Sequence, residues 1–263
     1  METKVVPQSL WIQRLSRPSD ATIRLICFPH AGGSASAYRG WPTGLASSVE
    51  VLGVQYPGRG PRLRETPVDR VPVMANAVAD ALSHLPALPT VFFGHSLGGA
   101  VAFEVVRCLA EAGAPLPQQL FVSSRSAPDL PSSCPPISHL PDADFLQEIG
   151  RLYAAVPPQL LDYPDVLELL VPALRADMAA IEHYRGSCVG AVACPITAFG
   201  GSDDATTARE QLEAWRRLTM GSFRLRMFPG GHFYLDSQRQ ALLDDISASL
   251  AMIVAEALTD RAA

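Results

Sequence analysis

The sequence predicts an α/β fold, a mostly parallel central sheet with helices on both faces, and three observations predict it. Short uncharged runs of β-branched and aromatic residues alternate with longer stretches of helical apolar spacing. The order strand, helix, strand, helix, strand is complete by about residue 123, and such alternation implies parallel pairing with the connecting helices covering the sheet. A glycine-flanked serine, Gly94-His95-Ser96-Leu97-Gly98, falls where one strand run meets one helical run. A sharp turn there lifts a hydroxyl above the sheet edge, and the glycines let strand and helix approach closely.

Taken in order, residues 1 to 20 are polar and irregular except for Ser9-Leu10-Trp11-Ile12, a short edge strand. Ile23 to Phe28 is the first core strand and runs into the glycine-rich loop Pro29-His30-Ala31-Gly32-Gly33. Val49 to Gln55 is the next strand and ends in the turn sequence Tyr56-Pro57-Gly58-Arg59-Gly60. Val73, Ala77, Ala81 and Leu82 recur at helical spacing, so a helix spans residues 69 to 85 and stops before Pro86. Val91, Phe92 and Phe93 form the central strand. Val101, Val105, Val106 and Leu109 then mark a helix from the serine turn to about Ala112, and Gln119 to Ser123 is another strand.

From about residue 125 to residue 190 the pattern changes: prolines cluster and no strand run appears. Two amphipathic helices are predicted there. Phe145, Leu146, Ile149, Leu152, Tyr153 and Val156 share a face of the first. Val166, Leu169, Leu170, Leu174, Met178 and Ile181 share a face of the second, with Pro172 as a kink. A helical insertion beside a nucleophile turn reads as a lid over the site, on what is otherwise one domain spanning 1–263. A fixed helical layer is the alternative. His139 and His183 lie in the insertion with no partner pattern and read as ordinary surface or packing residues.

Strands resume at Cys194 to Phe199, followed by Gly200-Gly201-Ser202-Asp203-Asp204, a helix over 207 to 218, and a strand at Phe223 to Phe228. Pro229-Gly230-Gly231-His232-Phe233-Tyr234 comes next, and a last helix from about Ser237 to Leu258 carries Leu242, Leu243, Ile246, Leu250, Ile253 and Val254 on one side.

The 263-residue chain is 48% hydrophobic, enough for a sizeable core. A net charge of -5 without a basic run argues against nucleic-acid or anionic-membrane partners. No apolar run reaches the length of a membrane span, and no secretory signal is evident. Five cysteines, Cys27, Cys108, Cys134, Cys188 and Cys194, are odd in number and form no C-x-x-C pair. They suit reduced thiols, so a soluble cytoplasmic protein is expected, a monomer with no metal or cofactor.

Three reactive groups now lie after three different strands, in the order Ser96, then Asp203 or Asp204, then His232. That is the order of an α/β-hydrolase. A serine hydroxyl is a poor nucleophile until an imidazole takes its proton, and a carboxylate fixes the imidazole tautomer. In this architecture the second oxyanion donor comes from the loop after an early strand, which points to the backbone of Ala31 paired with the N–H of Leu97. His30 fits anchoring of that loop better than catalysis.

Phe28-Pro29-His30-Ala31-Gly32-Gly33, Tyr56-Pro57-Gly58-Arg59-Gly60, Gly94-His95-Ser96-Leu97-Gly98-Gly99 and Gly230-Gly231-His232-Phe233-Tyr234 together resemble the motifs of type II thioesterases, free-standing editing enzymes of polyketide and nonribosomal peptide synthases. Pro172-Ala173-Leu174-Arg175-Ala176-Asp177 resembles them too, so the likeness runs from Ile23 through most of the chain. It implies hydrolysis of acyl thioesters on the phosphopantetheine arm of acyl or peptidyl carrier proteins, with an oxyanion hole at Ala31 and Leu97. Many members carry the acid three residues after the second glycine, which selects Asp204 over Asp203. The competing readings are a small-molecule carboxylesterase on the same fold and a non-catalytic carrier-binding protein.

Overall fold

The computed structural model describes residues 9–153, 163–184 and 190–262. Val156 and Cys188 lie outside the described residues. Seven strands form one sheet in the order β1-β3-β2-β4-β5-β6-β7. They are β1 (Ile12–Arg14), β2 (Ile23–Phe28), β3 (Val49–Val54), β4 (Thr90–His95), β5 (Gln119–Ser123), β6 (Ile196–Gly201) and β7 (Phe223–Phe228). Neighbours from β3 through β7 pair in parallel, and only β1 is antiparallel, opposite β3.

The apolar runs of the central strands follow from burial on both faces. Phe92 in β4 and Ile26 and Phe28 in β2 point into one core, beneath α1 (Val71–Ser83) and α2 (Leu97–Glu111). Val91 and Phe93, with Leu25 and Cys27, point into the other, beneath α7 (Arg239–Ala262), where Trp41, Leu242 and Ile246 meet them. Winding reverses at β2: the chain steps to β3 on one side and then to β4 and onward on the other. Ligands of open α/β sheets bind at such a reversal, outside the carboxyl ends of the strands. The loop after β2 and the turn after β4 lie there.

Two expected helix faces differ. On α1 the buried positions are Val71, Met74, Ala75, Val78 and Ala81, whereas Val73 is exposed. Those spacings make a wider stripe than the one drawn through Val73. Between β5 and β6 stand α3 (Asp142–Tyr153) and α4 (Pro164–His183), and α4 runs unbroken through Pro172. Phe145, Leu146 and Ile149 of α3 are buried against Leu167, Val171, Leu174, Met178 and Ile181 of α4. Steps of four, three, four and three residues define that seam, the spacing of a helix-to-helix contact. Val166, Leu169 and Leu170 fall outside it and are exposed. His139 and His183 are exposed as well. Among the described residues no helix is long and apolar enough to cross a membrane.

The short helices α5 (Arg209–Glu213) and α6 (Tyr234–Ser237) follow β6 and β7. The expected helix over 207 to 218 is therefore split, its second half tightening to 3-10 geometry at Ala214–Leu218.

Candidate active site

Ser96 occupies the turn between β4 and α2 with φ 54° and ψ −115°, a backbone state that non-glycine residues rarely hold. The neighbours enforce it. Its N–H donates to the carbonyl of Ser123 at 2.8 Å, and its carbonyl accepts from Gly99 at 3.0 Å. A Cβ on Gly94 would strike the carbonyl oxygen of Gly98, and one on Gly98 would strike that of Phe28. Both glycines are thus required by close backbone approach.

His232 follows β7 and is nearly buried. Its Nδ1 lies 2.9 Å from Oδ2 of Asp204 and 3.0 Å from Oγ1 of Thr206. A carboxylate only accepts, so Nδ1 carries a proton, and in the neutral ring Nε2 keeps a lone pair. The ring is wedged against Tyr153, His95 and Phe233 at centroid distances of 4.9, 5.1 and 5.2 Å. Asp204 is fixed in turn: Thr206 donates its N–H at 2.9 Å and its hydroxyl at 2.7 Å to Oδ1. Burial pushes the Asp204 carboxyl up, but its bonds from His232 and Thr206 outweigh that and hold it below its ordinary value. Asp203 is exposed and only its backbone engages, donating to Gly230. Of the two aspartates, only Asp204 places its carboxylate on His232.

Ser96 and His232 open onto one small cavity of about 30 Å³, walled also by Ala31, Ile149, Leu174 and Met178. His30, Ala31, Ile149, Leu174 and Phe233 are shared with a larger cavity of about 400 Å³ that runs along α4 past Gly32 and Arg59. The N–H groups of Ala31 and Leu97 donate to no other group among the described residues. A hydroxyl, an imidazole and the unengaged amide of Ala31 at one cavity, with the unengaged amide of Leu97 next to Ser96 in the chain, suit attack on a carbonyl and capture of the resulting oxyanion.

The loop after β2 is a tight turn in which Gly33 donates to the His30 carbonyl at 2.9 Å and Gly32 has φ +75°. The His30 ring sits edge-on to Phe233 at 4.9 Å. Burial, with His232 and Arg59 nearby, lowers its pKa to about 4, so it is neutral and anchors the turn. His95 is fully buried, with Nδ1 2.9 Å from the Ser123 hydroxyl, which is itself 2.8 Å from the Tyr234 hydroxyl. Burial, then His232 and His30, drive its pKa well down.

Thr206, Arg59 and Asp177 complete this region, the last two lying in the segments Tyr56-Pro57-Gly58-Arg59-Gly60 and Pro172-Ala173-Leu174-Arg175-Ala176-Asp177. Arg59 and Asp177 form a buried ion pair, with Nη2 2.8 Å from Oδ1, and Oδ2 of Asp177 also accepts the Gly32 N–H at 2.7 Å. Burial pushes the Asp177 carboxyl up against the opposing pull of Arg59 and Gly32. The signals were present. Asp204-Ala205-Thr206 has the form of an Asx turn. Asp177 is a charge on the apolar seam Leu174, Met178, Ile181, a position that demands a buried partner.

Residues 23–250 match the thioesterase domain family. The chain is 40% identical to thioesterase PikA5 of Streptomyces venezuelae, over 93% of this chain and 87% of that one. It is 34% identical to the gramicidin S biosynthesis protein GrsT of Aneurinibacillus migulanus, over 93% of this chain and 95% of that one. Among solved structures, the RedJ thioesterase of the prodiginine pathway in Streptomyces coelicolor superposes with a TM-score of 0.82 at 40% identity, covering 88% of this chain and 92% of its own. The type II thioesterase BorB of the borrelidin biosynthetic cluster gives a TM-score of 0.81 at 35% identity, over 91% and 95%.

Proposed function

Because the chain belongs to the thioesterase domain family, we propose that it is a type II thioesterase that frees carrier proteins of polyketide or nonribosomal peptide synthases from aberrant or stalled acyl groups. The reading is supported by relatives named for the gramicidin S, prodiginine and borrelidin systems. The observation that carries the chemistry is that His232, held at Nδ1 by Asp204, opens with Ser96 onto one cavity.

Ser96 attacks the thioester carbonyl while His232 Nε2 takes its proton, and the negative charge moves onto the carbonyl oxygen. The N–H groups of Ala31 and Leu97 receive that charge, an interaction whose loss costs about 10²–10³ in rate for a single donor. Collapse expels the pantetheine sulfur, which collects the proton from His232. A water then attacks the acyl-serine with His232 again as base, and the free acid leaves. Asp204 holds the imidazole tautomer throughout. The cavity of about 400 Å³, largely apolar, suits an acyl-pantetheine. We read α3 and α4 as a lid on a single domain, and the protein as a cytoplasmic monomer that meets carrier domains one at a time.

The test is intact-mass analysis of carrier proteins loaded with acetyl, propionyl and longer acyl groups. The enzyme should return them to the free thiol form, and Ser96→Ala should leave them loaded. Deacylation by Ser96→Ala at near wild-type rate would refute the nucleophile, and rapid cleavage of oxygen esters with no action on carriers would favour a carboxylesterase.

A further inference from the structure

We propose that Arg59 and Asp177 are positioning residues for acyl transfer: their ion pair fastens α4 to the loop after β2 and so aims the N–H of Ala31 at the reacting carbonyl. The proposal rests on the reading of that N–H as an oxyanion donor.

The geometry is specific. Asp177 sits on α4 beside Met178 and three residues after Leu174, both of which wall the Ser96 cavity. Its carboxylate is wholly buried and divides its oxygens: Oδ1 faces Arg59 Nη2, and Oδ2 takes both Arg59 Nη1 and the Gly32 N–H. Arg59 is itself fixed, donating to the carbonyls of Pro57 at 3.2 Å and Gly33 at 3.4 Å. Two consecutive residues of the oxyanion turn, Gly32 and Gly33, are therefore gripped by one ion pair, and Ala31 immediately precedes them. Three segments far apart in sequence meet at this point.

Stability alone does not account for charges here, because a buried ion pair contributes little relative to apolar side chains of the same volume. What an apolar pair could not do is accept the Gly32 N–H. The turn has the φ of a type II centre at Gly32, and without that acceptor its central peptide is free to rotate. Displacement of a reacting or stabilising group by about 1 Å can cost a hundredfold in rate. The pair thus makes docking of α4 and completion of the oxyanion hole a single event.

The experiment compares two variants. Arg59→Met/Asp177→Leu removes both charges together, so no unpaired charge is buried, but it leaves Gly32 without an acceptor. Asp177→Asn keeps an acceptor oxygen. Each is assayed with an acyl-pantetheine thioester, and its affinity is measured for an acyl-pantetheine amide and for a trifluoromethyl ketone analogue that forms a tetrahedral adduct. In the double variant kcat should fall about 10–100-fold with KM little changed. Ketone affinity should fall by the same factor and amide affinity should hold, whereas Asp177→Asn should keep most of its kcat. Unchanged kcat in the double variant, or equal weakening of ketone and amide, overturns the positioning role. If either variant fails to fold, the wild-type Gly32 amide decides: hydrogen exchange as slow as in α4 supports the grip, and exchange at open-loop rates overturns it. A wild-type enzyme that binds the ketone no better than the amide would instead overturn the oxyanion assignment, and this proposal with it.

Discussion

The Nδ1 atom of His232 lies 2.9 Å from Oδ2 of Asp204, while the hydroxyl of Thr206, 2.7 Å from the other carboxylate oxygen, also comes within 3.0 Å of the same nitrogen. Acid, imidazole and hydroxyl are locked by one short turn after β6 and one loop after β7. Asp203, the adjacent carboxylate, is exposed and its side chain bonds to none of the three among the described residues.

This asymmetry sets the first prediction. Asp204→Asn should lower kcat on the order of 10⁴, because the imidazole loses control of its tautomer. Asp203→Asn should change kcat by about twofold or less, as an exposed substitution. Steady-state kinetics of the two variants decide, and the reverse ranking would move the acid to Asp203.

Thr206 should matter less but measurably. A hydrogen bond to a charged group is worth about 1.5–3 kcal/mol, so Thr206→Val should lower kcat about tenfold or more, whereas Thr206→Ser, which keeps the hydroxyl, should stay near wild type. A loss in Thr206→Ser with none in Thr206→Val would mean that the methyl, not the bond, carries the effect.

Met178 is buried and walls the Ser96 cavity. Met178→Trp should therefore penalise long acyl chains more than acetyl or propionyl, by about 10–200-fold in relative kcat/KM. Competition between acetyl- and octanoyl-pantetheine in one reaction gives the ratio directly. Uniform slowing across chain lengths would place the acyl group elsewhere.

Acid sensitivity follows from two buried imidazoles. His30 has a folded pKa of about 4 against 6.5 unfolded, and burial also drives His95 well below its ordinary value. Below pH 6.5 the unfolded chain takes up protons that the folded protein refuses, so stability is full above that pH and declines as pH falls toward 4. Asp204, with its folded pKa lowered, adds a loss in the same direction at still lower pH. Urea midpoints from pH 8 to 4 should show this slope, and His30→Asn should make it shallower. An unchanged slope in that variant would mean that His30 is charged in the folded state.

Much of this was legible from residue order. The strands at Ile23–Phe28 and Gln119–Ser123 form where their apolar runs lie, because both sheet faces are buried there, and the edge strand Phe223–Phe228 shows instead as alternation of apolar residues with exposed Arg224 and Arg226. Ser96 could be read because it ends a strand between glycines whose absent side chains the packing requires, and His232 because it follows a strand through a Gly230-Gly231 turn in which Gly230 has positive φ. The seam of α4 could not: Val166, Leu169 and Leu170 are as apolar as Leu167 and Val171, and only the angle at which α3 crosses decides which set is covered. Nor could the grip of Asp177 on Gly32, since nothing local joins residues so distant in the chain.

Ser96 and Ser124 are the only described non-glycine residues with left-handed φ, at 54° and 44°, and they end adjacent strands. Such conformations cost about 1–3 kcal/mol each. The sheet edge at Ser96 and Ser124 therefore carries backbone strain, and the melting temperature of the protein bears a debit written there. Ser96→Ala keeps that backbone strain while Ser96→Gly releases it, so of two inactive proteins the glycine variant should melt at the higher temperature in calorimetry. Equal melting points would mean that the turn is held without tension.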